Sequence, residues 1–152
     1  MNLSKSNSNN IYYSKGTGQP MVFLHGFPDC PKNYENQINY FSELGYEVFC
    51  PFMPGYHPDD KELTSYDPTT ISLEIIKFIN SLDVGPVTLV GHDWGSSAAY
   101  GVASMEPSMV SHLITLSVPH GSKLVEAILT DGDQQRRSWY MFYFQLDLAD
   151  IA

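Results

Sequence analysis

Val87-Thr88-Leu89-Val90-Gly91-His92-Asp93-Trp94-Gly95-Ser96-Ser97-Ala98-Ala99 is the stretch that decides how this chain folds. An apolar run leads into Gly91 and Gly95, and small residues continue through Gly101. The run reads as a buried strand, the glycines as a sharp turn, and the small residues as a helix packed closely on its neighbours. A turn this tight holds its central residue in a strained backbone conformation, and a Cβ on either flank would strike a neighbouring strand or helix. The residue at the apex is Asp93.

Working outward, the same grammar repeats on both sides. Residues 21–24 read as a buried strand ending in His25-Gly26-Phe27-Pro28. Tyr34, Ile38, Phe41 and Leu44 recur at helical spacing, and Gly45 closes that helix. Residues 48–50 form the next strand, and residues 51–66 a loop rich in Pro, Gly and Asp. Asp67 caps a helix that starts with Pro68 and turns Ile71, Ile75, Ile76, Ile79 and Leu82 inward. Residues 94–105 form the helix after the turn, and residues 113–118 a further strand. Strand–helix alternation of this kind builds a mostly parallel sheet flanked by helices through right-handed crossovers. Ahead of it, residues 11–14 read as a short strand and the polar residues 1–10 as a mobile tail. After Pro119-His120-Gly121 the pattern changes. Residues 124–129 read as helical, Asp131-Gly132-Asp133 as a turn, and residues 134–148 as one aromatic-rich helix. The expected organisation is therefore a tail (1–10), an α/β core (11–121) and a helical segment (122–152).

Composition excludes several classes. The chain has 152 residues, 43% hydrophobic and 16% charged, enough to bury a core. Its formal net charge of −9 leaves no basic stripe for phosphates, so a nucleic-acid partner is not expected. Cys30 and Cys50 form no C-x-x-C pair and suggest no metal site; reduced cysteines fit a cytoplasmic location. The polar N-terminus does not read as a signal peptide, and no apolar run has the length of a membrane helix.

Taken together, His25-Gly26-Phe27-Pro28, Gly91-His92-Asp93-Trp94-Gly95, Val118-Pro119-His120 and Ser138-Trp139-Tyr140 resemble an epoxide hydrolase of the α/β-hydrolase family. In that family a strand–turn–helix elbow of pattern G-x-S-x-G carries the nucleophile; here Asp93 replaces the serine. The resemblance runs from residue 11 to the end and matches only the N-terminal half of the family's domain. It implies a partial α/β-hydrolase fold that ends in the start of a helical cap, or lid.

The chemistry it implies suits aspartate. A carboxylate is ionised at neutral pH and needs no base before attacking a saturated carbon that bears a leaving group. The product is an ester, and water attacking that ester develops an oxyanion. The resemblance assigns its stabilisation to the backbone N–H groups of Phe27 and Trp94. His25, Gly26, Gly91, His92 and Gly95 then support the elbow and its facing loop. Taken alone, Asp93 reads as an ordinary helix N-cap. It is the flanking glycines and the His25-Gly26 loop that favour the nucleophile. Tyr140 matches a lid tyrosine that donates a proton to the epoxide oxygen, with Tyr143 one turn on as its rival. Phe27 stands where haloalkane dehalogenases carry Asn, which favours the epoxide reading over that alternative. His112 and His120 read as partly buried structural histidines. His57 and Phe52 depart from the family's usual Gly and Asp.

The partner implied is a small-molecule epoxide or related electrophile, with no cofactor and no membrane. The family's catalytic acid and histidine follow the lid in chain order and have no match here. The expectation is that Asp93 is alkylated once and the ester is not released. Repeated turnover would instead assign a substitute base such as His120 or His57. The third alternative is a non-catalytic remnant or interaction fragment. Strand 113–118 should form an unpaired apolar edge that promotes self-association.

Overall fold

The computed structural model describes residues 1–8, 10–60 and 62–150. Two units separate within the chain, Met1–Val118 and Pro119–Ala152.

The first unit is built on a six-stranded sheet of β1 (Asn2–Lys5), β2 (Ile11–Lys15), β3 (Gln19–Leu24), β4 (Tyr46–Pro51), β5 (Val87–His92) and β6 (Val110–Leu116), in the order β1-β2-β4-β3-β5-β6. The strands β4, β3, β5 and β6 run parallel, whereas β1 and β2 are antiparallel additions at one edge. Helices α1 (Glu35–Glu43), α2 (Pro68–Leu82) and α3 (Trp94–Met105) connect them. Strand alternation divides the core between the two faces. Val22 and Leu24 of β3 join Phe49, Leu89 and the inner faces of α2 and α3. Met21 and Phe23 instead join Ile38 of α1, Val48, Cys50 and Val90.

The local signals explain the helix bounds. The Asp67 carboxylate accepts from the Thr69 and Thr70 N–H groups at 2.9 and 3.0 Å, and Pro68 takes the first position of α2. Ile71, Ile75, Ile76 and Ile79 are buried, as their spacing predicts. Asp83 then leaves the helix in the left-handed region at φ 55°.

Two expectations change. The polar stretch read as a mobile tail contains β1, which pairs antiparallel with β2 from Asn2↔Ser14 to Lys5↔Ile11. An edge strand needs only main-chain hydrogen bonds on one side, so polar side chains do not forbid it. In the second unit the single helix read over residues 134–148 is divided. The elements of the second unit are α4 (Gly121–Thr130), and in place of that single helix α5 (Gly132–Arg137), α6 (Trp139–Tyr143) and a 3₁₀ turn at Asp147–Asp150. Asp131, read as part of a turn, caps α5 by accepting from Asp133 N–H at 2.8 Å. Ser138, at φ −95° and ψ 9°, interrupts the helical path between α5 and α6.

Candidate active site

The site begins with a geometric conflict at the end of β5. The chain must leave the strand and enter α3 within one residue, Asp93, which adopts φ 52° and ψ −119°. Such a conformation costs a non-glycine residue about 1–3 kcal/mol and persists only where its surroundings over-determine it. The flanking glycines are what make the approach sterically possible. A Cβ on Gly91 would collide with Gly95, and one on Gly95 would collide with the Leu24 carbonyl at the end of β3.

Asp93 starts α3 through its main chain: its carbonyl accepts from Ser96 N–H at 2.9 Å and from Ser97 N–H at 3.3 Å. Its side chain makes no capping hydrogen bond, so the ordinary N-cap reading does not describe it. Oδ1 instead accepts the backbone N–H of Phe27 at 2.9 Å. Gly26 permits this close approach, since a Cβ there would lie 2.5 Å from Asp93 Cβ and 2.7 Å from Oδ1.

The facing loop is held by a buried histidine. His25 Nδ1–H donates to the Gly26 carbonyl at 2.9 Å, and Nε2 accepts the Met53 N–H at 2.9 Å. That pairing places the single ring proton on Nδ1. Burial lowers the His25 pKa from its usual 6.5, opposed by the Gly26 carbonyl and the negative charge of Asp29. The Tyr56 ring meets His25 edge-on at 4.8 Å. Burial raises the Tyr56 pKa, and the charges of Asp93 and Asp29 raise it further. The Phe27–Pro28 peptide is cis. The Phe27 side chain is half exposed, and Trp94 packs at the margin of the larger core cluster.

Three residues of this neighbourhood escaped the sequence reading. Asp29 N–H donates to the Gly26 carbonyl at 3.1 Å, and its carboxylate accepts from Asn33 Nδ2 at 2.5 Å. Its other oxygen lies 3.7 Å from His92 Nδ1, an ion pair when that ring is protonated. The signal available in sequence was its place directly after His25-Gly26-Phe27-Pro28. Tyr56 had no signal beyond its loop. Ser96 looked like one more small residue of the helix.

His57 sits in the loop after β4, with Nδ1 accepting Asp59 N–H at 3.1 Å and its ring 4.8 Å from Phe52. His112 lies on β6, and His120 Nδ1 is 3.0 Å from Ser122 Oγ ahead of α4. Tyr140 and Tyr143 both lie on α6 of the second unit. The Tyr140 ring meets Phe144 at 6.3 Å, and Tyr143 meets Trp139 at 5.7 Å. Among the described residues, no group of three or more His, Cys, Asp or Glu side chains is arranged to hold a metal ion. No helix among them is long and apolar enough to cross a membrane.

A carboxylate on a strained strand–helix turn, facing a backbone N–H of the loop after the adjacent parallel strand, is the arrangement of a hydrolase elbow. The family model of the α/β-hydrolase fold matches residues 19–150. The chain belongs to the α/β-hydrolase fold family. Among curated α/β-hydrolase relatives, an AB hydrolase superfamily protein of Bacillus subtilis is 34% identical over 85% of this chain and 46% of its own length. An epoxide hydrolase of Caballeronia sordidicola is 33% identical over 84% of this chain and 40% of its own. Among solved structures, an epoxide hydrolase of Bacillus megaterium in complex with an inhibitor superposes with a TM-score of 0.87 at 31% identity. That match covers 98% of this chain and 53% of the other. A variant of the same enzyme, solved with a naphthyloxypropanediol product, superposes with a TM-score of 0.86 over 97% of this chain. The chain thus spans about half the length of the relatives it matches.

Proposed function

We propose that this α/β-hydrolase chain carries the nucleophilic half of an epoxide hydrolase, with Asp93 as the nucleophile. The observation that carries the reading is the Phe27 N–H bond to Asp93 Oδ1 at 2.9 Å, made by a residue at φ 52°. That bond orients the carboxylate across the turn and leaves Oδ2 as the attacking oxygen.

In the proposed reaction, Oδ2 forms a bond to one ring carbon of the epoxide as the carbon–oxygen bond there breaks. The electron pair stays on the epoxide oxygen, which takes a proton from Tyr140. The product is an ester of Asp93 with a β-hydroxyalkyl group. Water then adds to the ester carbonyl carbon, and Oδ1 becomes the oxyanion, held by the N–H groups of Phe27 and Trp94. The proton given up by that water returns to the Tyr140 phenolate, and collapse of the intermediate passes the remaining carboxyl proton to the departing alkoxide, which releases the diol and restores the Asp93 carboxylate. For the 152 residues taken by themselves, the proposal covers ester formation. The similarity to epoxide hydrolases and the aromatic Phe27 both support an epoxide over an alkyl halide.

Intact-mass measurement after incubation with an aryl glycidyl ether tests this. The expected result is one adduct per chain, mapped to Asp93 and absent from Asp93→Ala. An adduct retained in Asp93→Ala overturns the assignment. Halide release from an alkyl halide, without reaction at the epoxide, moves it to a dehalogenase. No adduct from either electrophile leaves a non-catalytic fragment.

A further inference from the structure

The Asp93 backbone N–H donates to the Leu116 carbonyl at 3.1 Å. The nucleophile's main chain is therefore tied to the last residue of β6, the exposed edge strand. An edge strand is held on one side only and is the weaker part of a sheet. Something must fix the Leu116 peptide if it is to hold a residue in a disfavoured conformation.

Ser96 is placed to do so. It is fully buried on the first turn of α3. Its Oγ accepts the Leu116 N–H at 3.2 Å and lies 2.9 Å from the Leu116 carbonyl and 2.8 Å from the Gly91 carbonyl. One hydroxyl proton faces two carbonyl oxygens, and its lone pairs face one N–H. The hydroxyl thus bridges the end of β5, the start of α3 and the end of β6. Every group it touches belongs to the frame around Asp93: Gly91 is two residues before it, and Leu116 accepts its N–H.

We propose that Ser96 is a positioning residue for Asp93, its buried hydroxyl clamping the Leu116 peptide that receives the nucleophile's N–H. The inference rests on the reading of Asp93 as nucleophile for its consequence in reactivity, but the clamp itself is a matter of main-chain geometry. With alanine at 96, the Leu116 N–H loses its side-chain acceptor, and the Leu116 carbonyl is free to swing with the edge strand. Asp93 then relaxes from its left-handed conformation, and Oδ1 leaves the Phe27 N–H.

The test compares the wild-type chain with Ser96→Ala, Ser96→Thr and Ser72→Ala. Ser72 is an equally buried serine, bonded to the Pro68 and Ala98 carbonyls away from the elbow. Two quantities are read: the rate of Asp93 adduct formation with an aryl glycidyl ether, and amide hydrogen exchange at Asp93 and Leu116 by NMR. In the wild type both amides should be protected; free exchange at Asp93 overturns the clamp without any variant. Ser96→Ala should speed exchange at both amides and slow alkylation about 10- to 100-fold. Ser96→Thr, which keeps the hydroxyl, should recover much of the loss. Ser72→Ala should lower the melting temperature while leaving the alkylation rate unchanged. Unchanged Asp93 exchange in Ser96→Ala, or equal slowing by Ser72→Ala, overturns the proposal. A wild type that forms no adduct while Ser96→Ala still frees the Asp93 amide refutes the nucleophile assignment and leaves the clamp standing.

Discussion

β5 and β6 lie side by side in one sheet, pair in parallel and are both apolar, yet they have opposite fates. Val87 and Leu89 of β5 are fully buried, and Val90 nearly so. On β6, Leu113, Ile114 and Leu116 are 38%, 45% and 48% exposed. The difference is one of neighbours. β5 has β3 on one side, β6 on the other and the core clusters on both faces. Among the described residues, β6 has a strand partner on one side only. A hydrophobic side chain contributes stability in proportion to the area removed from water, so the same residue type does different work in the two strands. The elbow sits at the boundary of these two regimes, joined to the buried strand by Gly91 and to the exposed one through Leu116.

The sharpest way to break that comparison is at the turn. Gly95→Ala drives a methyl group into the Leu24 carbonyl, an atom of the central sheet that cannot swing aside. It should destabilise the first unit by more than about 4 kcal/mol, at the far end of the range for single substitutions. A folded chain with an unchanged melting temperature would contradict the packing.

A matched pair of truncations measures the comparison directly. Leu89→Ala should cost about 2–5 kcal/mol, the range for a buried leucine, and Leu113→Ala about 1 kcal/mol or less. Denaturant titration with each variant gives both values; similar losses would mean that β6 is covered in solution. Its covering by a second copy has its own signature. If the exposed edge drives self-association, Ile114→Lys should shift light scattering toward the monomer with little change in stability.

Acid should act on the buried side. Burial lowers the His25 pKa below 6.5, so the unfolded chain takes up a proton that the folded loop refuses. Stability is therefore full above about pH 6.5 and falls as the pH drops from there toward the lowered folded value. The groups facing the ring are Asp29, the Gly26 carbonyl, the Met53 N–H and Tyr56. Thermal melts between pH 7 and pH 5 should show this fall in the wild type and a smaller one in His25→Gln. The smallest effect belongs to the exposed cap of α2, where Asp67→Ala should lower the melting temperature slightly, read by the same melts.

How much of this was legible in advance varies with range along the chain. α3 was placed at residues 94–105 from its own residues, and α2 began at Pro68 as Asp67 announced. Those signals are local: a glycine that lacks room for a Cβ, a carboxylate two and three residues ahead of free N–H groups. β1 was missed because pairing at a sheet edge uses backbone groups that every sequence has. The division of the aromatic segment into α5, α6 and a 3₁₀ turn was missed because its composition favours helix throughout. In the site, the glycines and Asp93 stood out by pattern, whereas Asp29, Tyr56 and Ser96 did not, since a polar residue in a loop or helix acquires its role from what it faces.

By itself, then, the amino-acid sequence determined the strand–turn–helix at Gly91–Gly95, the capped start of α2 and the strand–helix alternation that makes a parallel sheet. These follow from sterics and hydrophobic periodicity over a few residues. The tertiary structure alone decided that Asp93 turns its carboxylate to an N–H sixty-six residues away, that Asp29 comes within reach of His92, that the Ser96 hydroxyl meets Leu116, and that one apolar strand is buried while its neighbour is exposed. Hydrogen bonds are directional and burial depends on cover, so both are settled only when distant segments have taken their places.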